Sequence, residues 1–240
     1  MKLDILVIAV HPDDSELCCS GTILKHIAEG KKVGIVDLTR GELGTRGSAE
    51  MRDKEAADAA EILGLSVREN LRMRDGFFAI DEENQRKIIS VIRKYQPDII
   101  LTNAEDDRHS DHGRAAQLVE EATFMAGLVK ITTENGTENQ EPWRPSLLLH
   151  FIQDRFIKPD ILIDISDFWE KKVQSILAYR SQFHVEDYVS NELQTYISNP
   201  GFLKNIEARH RELGKYIGAE FAEGFTCRRY LGVNDLFSLR

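Results

Sequence analysis

Cysteine is scarce in this chain: of 240 residues, only Cys18, Cys19 and Cys227 carry a thiol. Two are adjacent and the third is distant, which leaves neither a Cys-x-x-Cys pair nor an even-numbered disulfide framework and suits a reducing compartment. Long apolar runs are missing too. The opening Met1-Lys2-Leu3-Asp4 passes straight into a short hydrophobic stretch without a cleavable signal pattern, and no later run is long enough to span a bilayer. A cytoplasmic protein with no membrane partner is expected. Basic charge is in deficit, 31 Lys and Arg against 40 Asp and Glu for a net charge of -9. No basic face is then available to neutralise a phosphate backbone, which argues against nucleic acid as a partner. Gly41, Gly44 and Gly47 form neither Gly-x-Gly-x-x-Gly nor a Walker loop, so nucleotide binding is poorly supported, and they read as a flexible turn or a substrate lid.

What remains is the composition of a globular protein. With 42% hydrophobic and 30% charged residues, the chain can bury one core, and residues 1–240 read as a single domain. Apolar β-type runs alternate with helical patterns, the signature of βαβ units around a mostly parallel sheet. Leu3 to Val10 is almost continuously apolar, as a central strand buried on both faces requires, and Val33 to Leu38 repeats that character. Helices are expected from about Ser15 to Glu29, ended by Gly30, and from Ala49 to Leu63, ended by Gly64, the latter with Ala56, Ala59, Ala60 and Leu63 on one face. Asp81 is placed to cap a helix through Tyr95 whose Ile88, Ile89, Val91 and Ile92 supply the buried stripe, and Pro97 separates it from a strand at Asp98 to Thr102. A helix after Asp111, a polar surface loop from Thr132 to Pro145, strands at Ser146 to Ile152 and Ile161 to Ile165, and helices at Asp167 to Arg180 and Phe202 to Tyr216 complete the reading.

Two polar segments stand at the ends of strands. His11-Pro12-Asp13-Asp14 follows the first strand, and Arg108-His109-Ser110-Asp111-His112 follows the strand at Asp98 to Thr102. Ligands of open α/β sheets bind at the carboxyl ends of strands, so the two segments are expected to share one crevice. Two imidazoles and one carboxylate hold a catalytic metal and leave a position open, and His11, Asp14 and His112 fit that role best. Asp13 is then free to take a proton from water activated by the metal. His109 suits oxyanion stabilisation or acid catalysis, with Asp111 orienting its ring. The plainer reading is that Asp13 or Asp14 simply caps the following helix.

These residues carry a resemblance. His11-Pro12-Asp13-Asp14, Thr39-x-Gly41-Glu42 and His109-x-Asp111-His112 resemble the PIG-L/LmbE-like family of metal-dependent N-acetylglucosamine deacetylases, and the match spans most of the chain. Arg52, Glu105-Asp-Asp-Arg-His109, Ser181-Gln-Phe183 and Ala222-Glu-Gly-Phe225 are most similar to the bacillithiol-pathway branch, which deacetylates N-acetylglucosaminyl malate. The resemblance implies a Rossmann-like three-layer α/β sandwich with its site at the strand C-terminal edge. It implies zinc on His11, Asp14 and His112; the ligand types themselves also admit Fe2+ or Co2+, since geometry and availability decide the metal more than intrinsic affinity. It makes Asp13 the general base and His109 the oxyanion support, helped by Asp111. Arg52 and Arg108 look like contacts for the carboxylates of a malate aglycone, and Glu42 and Gln182 like further substrate contacts. The branch's oligomers imply self-assembly. One departure is Cys18-Cys19-Ser20, where many relatives carry a small residue such as glycine in the first position.

The remaining histidines read as structural: His26, His150 and His210 fall inside expected helices or strands, and His184 in a loop. Cys18 and Cys19 read as small buried residues. Three other functions compete with deacetylation. They are an amidase acting on a sugar–thiol conjugate with the same metal and base, a metal-containing sugar-binding regulator without turnover, and a ferrous oxygenase using two histidines and a carboxylate. The last calls for a mostly β architecture.

Overall fold

The computed structural model describes residues 1–184 and 192–239. In chain order the elements are β1 (Ile5–Ala9), α1 (Asp14–Ala28), β2 (Val33–Thr39), α2 (Ala49–Leu63), β3 (Val67–Met73), α3 (Glu82–Tyr95), β4 (Ile99–Thr102) and α4 (Ser110–Ala126). They continue with a small hairpin of β5 (Glu134–Asn135) and β6 (Glu138–Asn139), then β7 (Leu147–Phe151), β8 (Ile161–Asp164), α5 (Trp169–Leu177), α6 (Phe202–Lys215) and β9 (Ala222–Thr226).

β1 is buried at every position, and strand alternation divides it between two layers. Leu6 and Ile8 join one apolar cluster with Ile88, Ile92, Leu118 and Val119 of α3 and α4, while Ile5, Val7 and Ala9 join another with Ile23 and Leu24 of α1. Helices therefore cover both faces of the sheet, with α2 and α5 packed beside α1. Among the described residues seven strands form this sheet in the order β3-β2-β1-β4-β7-β9-β8. The first five run parallel, and β9 lies antiparallel between β7 and β8.

That order positions the site. The chain steps outward from β1 through β2 to β3, then returns to lay β4 on the other side of β1. The loops leaving β1 and β4 consequently part in opposite directions and open a crevice at the carboxyl edge, the topological switch point of such sheets.

The expected α/β architecture and its mostly parallel sheet are present, and so are the expected ends of α2 and α3, while the helix expected from Asp167 to Arg180 is shorter, Trp169–Leu177. Ser48 accepts from Met51 N–H at the start of α2, Gly64 ends it at φ 75°, and Asp81 accepts from Asn84 N–H at the start of α3. Three further elements differ from expectation. The loop after Thr132 contains the β5–β6 hairpin, turned over Gly136-Thr137. β3, Val-Arg-Glu-Asn-Leu-Arg-Met, is an edge strand too polar to resemble its neighbours. β9 is fully buried yet contains Glu223, whose charge is met by Lys172 Nζ at 2.8 Å and by the N–H groups of Gly21 and Thr22 at 2.9 and 2.7 Å. Among the described residues no helix is long and apolar enough to cross a membrane.

Candidate metal centre and active site

The loops after β1 and β4 are tied together at their roots. Val10 N–H donates to Asn103 Oδ1 at 2.9 Å, and Asn103 Nδ2 donates to Asp14 Oδ2 at 3.0 Å. The same Asp14 oxygen accepts from His11 N–H at 3.0 Å, and Gln153, just past β7, donates to Asp14 Oδ1 at 3.1 Å. Asp14 is thus fixed from three strand ends.

Around it stand the two imidazoles. His11 Nδ1 lies 3.7 Å from Asp14 Oδ2, and His112 Nε2 lies 3.3 Å from Asp14 Oδ1. Their other nitrogens meet supporting carboxylates: His11 Nε2 is 3.0 Å from Asp75 Oδ1 and 3.6 Å from Asp111 Oδ2, and His112 Nδ1 is 2.6 Å from Asp107 Oδ2. A ring held this way has its orientation and tautomer set, which is how metal-binding histidines are supported. His109 adds a third ring, and the three imidazoles offer nitrogens within 4.8 Å of one another.

The electrostatics fit a divalent cation. Burial opposes protonation of His11, but the carboxylates of Asp111, Asp75 and Asp14 outweigh it and raise its pKa to about 10. His112 is likewise raised to about 9, against burial, by Asp14 and Asp107. Burial would raise Asp14, yet His112 and His11 hold it well below the usual carboxylate range. Two buried imidazoles thus keep protons only because the carboxylates around them demand positive charge. A divalent ion would meet that demand at the same nitrogens, so the donor set suits a metal.

Asp13 is the residue that a capping role does not explain. It occupies the cap position of α1 at φ 110° with no side-chain capping hydrogen bond, a left-handed backbone that costs a non-glycine residue about 1–3 kcal/mol. Its carboxylate turns instead to Arg52, whose Nη2 donates to Asp13 Oδ2 at 2.7 Å. Burial pushes the Asp13 carboxyl up to about 7, with Arg52 pulling the other way.

His109 caps α4, its Nδ1 accepting the Asp111 N–H at 3.2 Å. The proton of the neutral ring then sits on Nε2, a donor. Burial and the nearby His11 and His112 lower its pKa, which favours that neutral form. The expected contact between the Asp111 carboxylate and this ring is not made. In the first turn of α4 that carboxylate faces the other way, accepting from Gly76 N–H at 2.9 Å and Arg114 Nη1 at 3.0 Å beside His11. The Asp111 backbone, not its side chain, orients His109.

The expected substrate contacts divide. Arg108 stands half-exposed at the cavity mouth, its Nε 3.3 Å from Asp154 Oδ2 and its guanidinium over the Tyr196 ring at 4.6 Å. Arg52 has a different task from the one expected. Its Nη atoms are committed to Asp13, to Pro12 O at 2.8 Å and to Gly41 O at 3.2 Å, and its Nε is buried without a partner. Glu42 accepts Asp75 N–H at 2.9 Å and Arg40 N–H at 3.2 Å, bracing the loop instead of facing the cavity. Gln182 lines the cavity, but its amide is engaged by Arg46 O at 2.7 Å and Ser181 Oγ at 2.9 Å.

Asp75, Asp107, Asn103 and Gln153 are the residues that reading the sequence did not assign. Asp107, Asn103 and Gln153 follow β4 or β7 at the same sheet edge as the expected ligands, so the edge rule could have found them. Asp75 follows β3, the strand whose polar pattern concealed it.

A crevice at the switch point, lined by imidazoles and carboxylates with a strained aspartate beside them, defines an α/β enzyme whose cluster could hold a metal ion. Its family follows from comparison. Residues 6–123 match the family model for GlcNAc-PI de-N-acetylase, PIG-L. Diacetylchitobiose deacetylase of Thermococcus kodakarensis is 31% identical over 92% of this chain and 81% of its own length. The 4-oxalmesaconate hydratase of Pseudomonas putida is 28% identical over 76% and 75%, and a probable N-acetyl-alpha-D-glucosaminyl L-malate deacetylase 2 of Bacillus anthracis is 27% identical over 75% and 81%. Among solved structures, the conserved protein TT1542 of Thermus thermophilus superposes with a TM-score of 0.85 at 38% identity over 97% of this chain and 98% of that one. The chain belongs to the PIG-L family.

Proposed function

We propose that this protein is a metal-dependent N-deacetylase that hydrolyses the N-acetyl group of an N-acetylglucosamine conjugate, and that the conjugate is N-acetylglucosaminyl malate of bacillithiol biosynthesis. The observation that carries the reading is Asp13, taken off helix-capping duty and held by Arg52 beside the His11–Asp14–His112 cluster. His11, Asp14 and His112 would hold the ion, which we take to be Zn2+, and His109 is left outside the ligand set because its Nδ1 accepts the Asp111 N–H and its Nε2 then carries the ring proton. The bound ion supplies Lewis acidity to water and to the amide carbonyl.

The chain's own groups divide the remaining work. Asp13 takes the proton of the attacking water as the oxygen bonds to the carbonyl carbon. His109 Nε2–H donates to the carbonyl oxygen as negative charge develops there. The amide C–N bond then breaks, and the proton held by Asp13 passes to the departing nitrogen, giving acetate and a free amine. Arg108, beside Tyr196 at the mouth, supports a carboxylated aglycone. The buried free thiols of Cys18 and Cys19 suit a cytoplasmic setting. Exposed apolar side chains near the C-terminus, Tyr230, Leu236 and Phe237, are consistent with self-association.

The test is release of free amine from N-acetylglucosaminyl malate, from N-acetylglucosamine and from diacetylchitobiose by the zinc-loaded protein and by Asp13→Asn. Preference for the malate conjugate, abolished in the variant, is expected. Preference for diacetylchitobiose would move the substrate to a chito-oligosaccharide. Release from none, with metal bound, would favour the second reading raised by the hydratase relative, water addition to an unsaturated acid, which liberates no amine.

A further inference from the structure

α6 lays its buried face along the cavity that holds the cluster, and one side chain on that face differs in kind from the rest. Phe202, Ile206, His210 and Leu213 are buried there and line the cavity. His210 alone among these four is polar. It is 4% exposed, and its Nδ1 lies 2.7 Å from Ile206 O, one turn back along its own helix. A carbonyl oxygen only accepts, so Nδ1 carries the ring proton and Nε2 carries a lone pair. Burial, with Lys172 and Arg209 nearby, disfavours a second proton and keeps Nε2 an acceptor. Among the described residues Nε2 has no hydrogen-bond partner. Nor is it sealed off, as the unpartnered Ser15 Oγ, Glu16 Oε2, Thr22 Oγ1 and Arg52 Nε are. Nδ1 turns back to the helix, Nε2 stands on the opposite edge of the ring, and the open space beside His210 is the cavity. Buried acceptors are normally bonded, so this one points to a donor supplied by whatever the cavity receives.

The neighbours of His210 say which part of a substrate it meets. Arg209, the preceding residue, also lines the cavity, and its Nη2 donates to Asp154 O at 2.6 Å. The Phe202 ring stands 5.5 Å from the ring of Tyr196. Asp154 and Tyr196 belong to the mouth with Arg108, so α6 flanks the passage between mouth and cluster. That passage receives the part of the substrate other than the reacting amide. In an amino sugar this part carries hydroxyl groups, which donate, on a ring whose C–H faces suit the apolar neighbours of His210. The cavity, about 460 Å3, falls within the ~300–1,000 Å3 usual for small-molecule pockets.

We propose that His210 is a specificity-determining residue whose Nε2 accepts a hydrogen bond from one ring hydroxyl of the amino sugar, so that the enzyme discriminates against the sugar deoxygenated at that position. The proposal rests on the deacetylase reading above and adds a contact of the same site to the sugar ring.

The test compares amine release from N-acetylglucosamine and from its 3-, 4- and 6-deoxy analogues by the zinc-loaded wild type, His210→Phe and His210→Gln. One deoxy compound is expected to lose about 10–100-fold in kcat/KM with the wild type, and that loss should shrink to about twofold in His210→Phe, which offers no acceptor. His210→Gln displaces the acceptor and should reduce the loss as well, so the comparison stands even if the phenylalanine variant does not fold. Losses below about fivefold for all three compounds in the wild type, or the same losses in the variants as in the wild type, would overturn the contact and leave the deacetylase reading intact. Release from none of the compounds would instead defeat that reading. Calorimetric titration of the zinc-loaded proteins with glucosamine and its deoxy analogues then judges the contact on its own: a deoxy penalty present in the wild type and lost in the variants supports it, and equal penalties in all the proteins overturn it.

Discussion

Arg52 Nη2 lies 2.7 Å from Asp13 Oδ2, and both side chains are shielded from solvent. The pair joins α2 to the loop after β1 across 39 residues of sequence, so the Asp13 carboxylate is positioned by a helix whose buried face also holds Glu55, Ala56, Ala59 and Leu63. Arg52 pulls the Asp13 pKa down against burial, which pushes it up to about 7. A base works deprotonated, so activity is lost as pH falls through that pKa. Arg52→Ala removes the restraining charge and should move the acid limb of the kcat/KM profile to higher pH, while Arg52→Lys moves it less. Asp13→Asn should cost ~10²–10⁴ in kcat. An acid limb unmoved in Arg52→Ala would separate Arg52 from the base.

Asp107 meets His112 Nδ1 at 2.6 Å and also accepts the N–H groups of Asp154 and Arg155 at 2.9 and 2.8 Å. It therefore aims the ring while being held in place itself. Asp107→Asn should weaken metal affinity by about 10–100-fold, read by competition with a chromophoric chelator, and added zinc should restore part of the activity. Affinity equal to wild type would show that the ring is oriented by other contacts.

His109 stacks on His112 with centroids 5.1 Å apart, close enough for either an oxyanion role or a place in the ligand set. The two roles differ in what substitution removes. His109→Gln should cost about 10²–10³ in kcat with metal stoichiometry unchanged. A parallel loss of bound metal would make His109 a ligand, with the three imidazoles as the set.

Much of this fold was legible because buried strands are apolar on both faces and helices carry their own ends. Leu3 to Val10, Gly64 and Asp81 each carry one unambiguous local signal. His11, Asp13, Asp14 and His112 were legible for the same reason, since they follow recognisable strands, while Asp75, Asp107, Asn103 and Gln153 around them were not. What escaped was whatever derives its meaning from a distant partner. β9 hides behind Glu223, which is tolerable in a core only because Lys172 lies 51 residues away in sequence and against it in space. Arg52 reads as a substrate cation until Asp13, Pro12 and Gly41 are seen to occupy its guanidinium. Asp111 shows the same limit at short range, because sequence proximity to His109 says nothing about which way its rotamer points.

Glu223 and Lys172 are both fully buried, 2.8 Å apart, with Lys172 Nζ also donating to Glu16 O and Leu17 O at 2.9 and 2.8 Å. Removing one charge strands the other inside the protein, a change worth about 3–5 kcal/mol. Glu223→Gln should lower unfolding stability by that order in denaturant titration, while kcat per folded molecule stays near wild type. A stability loss below about 1 kcal/mol would mean that water or a rearranged Lys172 relieves the charge.

His210 carries a cost that depends on pH. Its ring is buried, donates from Nδ1 to Ile206 O at 2.7 Å and stands 5.2 Å from the Trp169 ring. Burial, with Lys172 and Arg209 nearby, holds its pKa well below the ordinary histidine value. Above about pH 6.5 the imidazole is neutral in folded and unfolded chains alike and contributes no pH dependence. As pH falls below that value the unfolded chain takes up the proton first, so stability declines by up to about 1.4 kcal/mol per pH unit, or roughly 2 kcal/mol by pH 5. His210→Gln keeps a hydrogen-bond donor and removes the titration. The stability gap between wild type and variant should therefore shift in favour of the variant between pH 7.5 and pH 5, the contributions of the other histidines cancelling in the comparison. A gap that stays constant over that range would mean that His210 takes up its proton in the folded protein as readily as in the unfolded chain.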